Sequence, residues 1–156
     1  WIRGNLPSKG ENELYQERLA QNIKQLAIYG LEKNVKIFIE AINRYEIDTF
    51  NTGREILNFI EQYELSNTFV HLDTFHMNIE EVSIADSIKQ CSNKLGYIHF
   101  ADSNRQYPGA GHIDFLDILK ALESIHYSGY ISIECLPKPA GVDAARLAIE
   151  YIKSIT

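Results

Sequence analysis

Short apolar stretches alternate with longer amphipathic ones along this chain of 156 residues. Leu14, Leu19, Ile23, Leu26, Ala27 and Leu31 recur at helical spacing, with Ser8 and Asn12 as candidate caps and Gly30 near the end. They predict a helix over about 11–30. Residues 35–40 are β-branched and aromatic and too few for a helix, so they read as a strand. Asn51-Thr52 opens a second helix with Ile56, Leu57, Ile60 and Tyr63 on one face, and strand 68–73 follows. Val82, Ile84, Ala85 and Ile88 mark a third helix from Ile79 to Cys91, before strand 95–100. Ser103 to Ile113 reads as a loop with Pro108, Gly109 and Gly111. Asp114 caps a fourth helix through His126, Ser128-Gly129 turns into strand 130–134, and a last helix runs from about Val142 to Ile155.

Four strands alternating with helices predict an α/β fold with a parallel sheet built from right-handed crossovers. The strands are apolar along most of their length, as expected where a sheet is covered on both faces. No low-complexity linker interrupts the pattern, and the length suits one core, so 1–156 reads as a single domain. Residue 1 is Trp, and Ile2 to Pro7 reads like the exit of a strand already under way. A chain that is half of an eight-stranded barrel explains that start better than an open sheet does. Four parallel strands leave two unpaired edges, so association with a second copy or with a missing half-barrel is expected.

Each strand ends on a side chain able to bind metal: Glu40, Asp73, His99 and Glu134, spaced 33, 26 and 35 residues apart. Strand C-termini in parallel α/β folds converge on the rim where active sites are built. Three carboxylates and one imidazole suit Mn²⁺, Co²⁺ or Mg²⁺ better than structural zinc, which prefers thiolate and imidazole. Two Glu residues beside a metal could also move protons at a carbon next to a ketone, giving epimerisation through an enediolate. Glu46, His76 and Arg105 stand just past strand ends, where each could bond sugar hydroxyls. His71 reads as a satisfied core histidine, and His126 as a surface residue near a helix end. The spacing Gly109-Ala110-Gly111 before His112 fits a tight loop and is weak evidence for phosphate.

Lys and Arg number 15 against 21 Asp and Glu, a net charge of −6. That argues against a nucleic-acid or membrane-surface partner, which needs clustered positive charge. The apolar runs are of strand length, so no membrane span is predicted. Cys91 and Cys135 have no CxxC spacing and read as reduced thiols of a cytoplasmic protein.

At these residues the chain resembles the D-tagatose 3-epimerase/D-psicose 3-epimerase family of xylose-isomerase-like barrels. The resemblance is carried by residues 39–46, Ile-Glu-Ala-Ile-Asn-Arg-Tyr-Glu, and 72–81, Leu-Asp-Thr-Phe-His-Met-Asn-Ile-Glu-Glu. It continues through 99–105, His-Phe-Ala-Asp-Ser-Asn-Arg, with Pro108 to Gly111 and Ile133-Glu134. It implies the C-terminal half of a (β/α)8 TIM barrel. It implies that Glu40, Asp73, His99 and Glu134 bind Mn²⁺ or Co²⁺, and that Glu40 and Glu134 exchange the proton at C3 of a ketose. Glu46, His76 and Arg105 fall on its substrate-contacting positions. The chain departs from the family at Phe100-Ala101-Asp102, where Thr-Gly-Glu is usual, and at His112-Ile113-Asp114-Phe115, where Arg and Pro-Trp are usual. Both departures spare the metal ligands and bear on the choice of sugar, which the resemblance implies is set by loop contacts. A hydroxypyruvate isomerase, an inosose dehydratase, a sugar-phosphate epimerase and a non-catalytic sugar-binding fragment are the alternatives. A metal-dependent endonuclease on the same barrel would need extra His ligands and a basic rim.

Overall fold

The computed structural model describes residues 12–156. The expected strand exit at Ile2 to Pro7 and the cap at Ser8 lie outside the described residues. The elements run α1 (Asn12–Glu32), β1 (Ile37–Glu40), α2 (Gly53–Gln62), β2 (Thr68–Asp73), α3 (Thr74–Glu80), α4 (Ile84–Cys91), β3 (Leu95–Phe100), α5 (Phe115–Ser124), β4 (Tyr130–Ile133) and α6 (Gly141–Ile155). The four strands form one sheet in the order β1-β2-β3-β4, and every pair is parallel.

Helix ends follow local chemistry. Thr52 and Glu55 form a reciprocal capping box at the start of α2. Asp114 accepts from the Asp117 N–H at the start of α5. One face of the sheet packs on helices: Val70, Leu72, Ile98 and Phe100 meet Ile56, Ile60, Ile88, Phe115 and Ile118 in a continuous core. The opposite face carries Phe38, Phe69, His71, Tyr97 and His99, whose rings lie 4.2–6.2 Å apart in successive pairs.

The third predicted helix is two. α3 starts directly at Thr74, because Asp73 accepts the Phe75 N–H at 2.9 Å. Glu81 is extended and ends it, and Ser83 caps α4 by accepting from Asp86. Val82, counted on the apolar face of one helix, is fully exposed at the break. The apolar period carried on across a cap that stops the backbone ladder.

A register shift sets the level of the strand ends. Val70 pairs with Leu95 but His71 pairs with Tyr97, so Gly96 is an extra residue in β3. Side chains alternate with a period of two, so this one residue brings His99, rather than Ile98, opposite Asp73. The position needs Gly: a Cβ there would overlap the Phe38 ring and lie 2.7 Å from Phe69 Cβ.

Candidate metal and active centre

Glu40 and Asp73 are the last residues of β1 and β2, His99 lies one before the end of β3, and Glu134 directly follows β4. The Glu134 N–H still donates to Phe100 O at 3.2 Å, which carries the β3–β4 pairing one residue on. Thr74 and Ala101 lock the neighbouring strand ends: Thr74 Oγ1 donates to Ala101 O at 2.6 Å and accepts from Ala101 N at 2.9 Å. The four residues converge. One ligand atom from each of Glu40, Asp73, His99 and Glu134 lies within 4.8 Å of all the others. His99 Nδ1 is 3.1 Å from Glu134 Oε2, 3.7 Å from Glu40 Oε1 and 3.8 Å from Asp73 Oδ2.

Asp73 does two jobs with two oxygens. Oδ1 caps α3, while Oδ2 faces the centre and accepts from Arg105 Nη1 at 2.5 Å. Arg105 Nη2 also donates to Glu134 Oε2 at 2.6 Å, and the guanidinium lies over the Phe75 ring, 4.9 Å from its centroid. The loop that delivers Arg105 is wound around Asp102. This wholly buried carboxylate accepts from Ser103, Gly109 and Ile113 N–H groups at 2.7, 2.8 and 3.2 Å. Arg105 itself takes a left-handed φ of 62°, held by its N–H to Asp102 O and its carbonyl to Leu136 N.

Crowded carboxylates shift one another. Burial first, then the charges of Asp73 and Glu134, push Glu40 up to about 7. Burial also pushes Asp73 up to about 7, against the pull of Arg105. Burial alone would raise Glu134 too, but its hydrogen bond with Asp73 and the nearby His99 and Arg105 hold it below the usual range. Asp73 and Glu134 therefore titrate as a coupled pair, with burial pushing Asp73 up and its neighbours holding Glu134 down. His99 is lowered chiefly by burial. Such clustering of like charge is what a divalent cation would neutralise, and the donor set of three oxygens and one nitrogen fits that group.

Glu46 and His76 are joined by a residue the sequence did not single out. Asn43 Nδ2 donates to Glu46 Oε1 at 3.1 Å and to His76 Nδ1 at 2.7 Å, and Asn43 is almost fully buried. With Nδ1 accepting, the His76 hydrogen is on Nε2. Burial, then Arg105, lowers His76 to about 4, so the ring is neutral. His76 sits on α3 and not in a loop. His112 accepts or donates to Ser103 Oγ at 2.9 Å within the Asp102 loop, and is not part of the ligand cluster. The reading of His71 as a satisfied core histidine is corrected: it is buried beside Glu40, and its Nε2 has no hydrogen-bond partner among the described residues.

This arrangement is matched by kinship. The xylose isomerase-like TIM barrel description matches residues 2–155. The chain belongs to the xylose isomerase-like TIM barrel family. Within that family it is 40% identical over 131 residues to an L-ribulose 3-epimerase of Methylomonas sp., covering 84% of this chain and 46% of the relative. It is 33% identical over 132 residues to a D-psicose 3-epimerase of Enterocloster bolteae, covering 85% of this chain and 44% of the relative. A crystal structure of a D-allulose 3-epimerase from Methylomonas sp. superposes with a TM-score of 0.87 at 33% identity, covering 99% of this chain and 59% of that one. The chain therefore spans about half the length of the curated relatives it matches. The expected α/β fold with four parallel strands, and the resemblance to ketose 3-epimerases, are both borne out. No described helix is long and apolar enough to cross a membrane.

Proposed function

We propose that the protein containing this chain is a metal-dependent ketose 3-epimerase, an isomerase of carbohydrate metabolism in the cytoplasm, and that 1–156 is the C-terminal half of its barrel. The observation that carries this reading is the convergence of Glu40, Asp73, His99 and Glu134 on one point at the strand ends. These four would hold a divalent cation, Mn²⁺ or Co²⁺ before Mg²⁺. Bound there, the cation would act as a Lewis acid toward a ketose carbonyl and acidify the neighbouring C–H.

Glu40 and Glu134 move the proton at C3. In each direction of the reaction one carboxylate removes it and the other returns it, which inverts the carbon. One carboxylate oxygen from each lies within 4.8 Å of the other, which supports their acting on one metal-bound sugar. Glu46, His76 and Arg105 orient the sugar. His76 offers Nε2–H to a hydroxyl, and Asn43 holds Glu46 and His76 in step. Arg105 offers a rigid planar donor beside Glu134. Phe38, Phe69 and Tyr97 form an aromatic floor beside the site. The remaining wall comes from an N-terminal half-barrel or a second copy paired at the edges of β1 and β4, which have no strand neighbour among the described residues.

The reading is tested by incubating the full-length protein with free ketoses, their phosphates and hydroxypyruvate, with Mn²⁺ or with chelator. It predicts C3-epimer formation from a free ketose that chelator abolishes and Mn²⁺ restores. Turnover of hydroxypyruvate alone would replace it with a different isomerase.

A further inference from the structure

His71 stands against the centre: one ligand atom from each of Glu40, His71 and His99 lies within 4.8 Å of the others, a second group beside the four-residue cluster. Glu40 and His71 are ladder partners in β1 and β2, and the Ala41 N–H donates to His71 O at 3.1 Å. The backbone therefore fixes the two side chains next to each other. His71 Nε2 lies 3.9 Å from Glu40 Oε1. The His71 ring meets His99 edge-on at 4.2 Å between centroids, and Tyr97 lies 4.9 Å away. The residue is 8% exposed. Its Nε2 is buried with no hydrogen-bond partner among the described residues. Buried side-chain nitrogens are nearly always paired, so one that is not, at the edge of a ligand cluster, points to a partner the site supplies.

We propose that His71 is a positioning residue: its Nε2–H donates to Glu40 Oε1 and fixes which oxygen of Glu40 faces the substrate carbon. The inference rests on the reading of Glu40 as a group that moves the C3 proton. A hydrogen bond needs the gap to close to about 2.9 Å. Glu40 is partly exposed on a side chain with three torsions, so a small rotation closes it. His71 cannot turn away in exchange, because its ring is held between Tyr97 and His99. This is the way an imidazole outside the ligand set orients a ligating carboxylate.

The test uses the full-length protein with His71→Phe, which keeps a ring and removes the nitrogens, and His71→Gln, which restores a donor near the Nε2 position. C3 deuterium wash-in gives kcat and KM, calorimetry gives Mn²⁺ affinity, and imidazole ¹⁵N spectra of the Mg²⁺-loaded wild type give the tautomer. The Phe variant is expected to lose about 10–100-fold in kcat with KM changed less than about threefold. The Gln variant recovers most of that loss, Mn²⁺ affinity stays within about threefold in both, and the spectra show a hydrogen-bonded Nε2–H. Wild-type kcat in the Phe variant would make His71 a space-filler and overturn the proposal. Loss of Mn²⁺ binding as complete as in His99→Ala would make it a ligand and overturn it too. An Nδ1–H tautomer would do the same, and this readout stands even if the Phe variant does not fold. If the wild type exchanges no ketose, the functional reading fails, while the spectra still decide whether His71 bonds Glu40.

Discussion

Arg105 Nη1 donates to Asp73 Oδ2 at 2.5 Å, where the Asp73 side chain is wholly buried. The same guanidinium reaches Glu134, so one cation compensates two of the three clustered carboxylates. Removing one partner of a buried pair leaves the other without compensation. Arg105→Gln is expected to lower the stability of the metal-free protein by about 1–3 kcal/mol, a figure reduced from the fully buried case because Arg105 is partly exposed. Mn²⁺ should recover the loss, since it supplies the missing positive charge. Urea unfolding with chelator and with Mn²⁺ checks this; an equal loss in both conditions would contradict it.

Glu40 gives a pH signature. Its carboxyl is raised from 4.5 to about 7, so between those values the folded chain holds a proton that the unfolded chain has released. The free energy of unfolding therefore falls as pH rises through that window, and the penalty is complete above it. Glu40→Gln removes the penalty. Without metal, the variant should match the wild type near pH 4.5 and exceed it by about 1–3 kcal/mol at pH 8, allowing for the partial exposure of Glu40. His71, His76 and His99 are lowered and oppose this slope below their usual range, which is why the difference between the two proteins is the quantity to measure. Urea midpoints at pH 5 and pH 8 in chelator decide it, and a gap that does not grow with pH would count against the account.

Asp102 organises the loop that carries Arg105. Burial alone would raise its carboxyl, but the N–H groups of Ser103, Ile113, Gly111 and Gly109 outweigh that and hold it below the usual range. Asp102→Asn turns an NH₂ group toward some of those donors. It should cost about 1–3 kcal/mol and speed amide exchange across 103–113, while Mn²⁺ affinity changes little. Unchanged exchange in that loop would show that Asp102 does not hold it.

The strands and their terminal ligands were legible because a strand's period of two and the apolar-to-polar break at its end are local. Glu40, Asp73, His99 and Glu134 needed only that break and the topology. The split at Glu81 to Ser83 was missed because Val82 and Ile84 keep the apolar count going while the Ser83 cap interrupts the ladder. The shift at Gly96 was missed because it depends on Phe38 and Phe69, distant in sequence, pressing on one residue. The Arg105 pairs with Asp73 and Glu134 span about thirty residues each, and Asn43 owes its place to a contact with α3; neither leaves a mark in any short window. His71 was legible as buried but not as lacking a partner for Nε2 among the described residues, since that depends on the three-dimensional surroundings of the ring.

The central claim is that Glu40 and Glu134 exchange the C3 proton of a ketose at a metal centre held by strand ends. Its most direct test is deuterium incorporation at C3 of a ketohexose in D₂O by the Mn²⁺-loaded full-length protein, beside Glu134→Gln and Glu40→Gln. The account predicts metal-dependent incorporation at C3 alone, reduced by at least about 10²-fold in each variant, since proton transfer by a positioned carboxylate contributes about 10²–10⁴-fold. Incorporation at wild-type rates in either variant, or none in the wild type on any ketose, would contradict it.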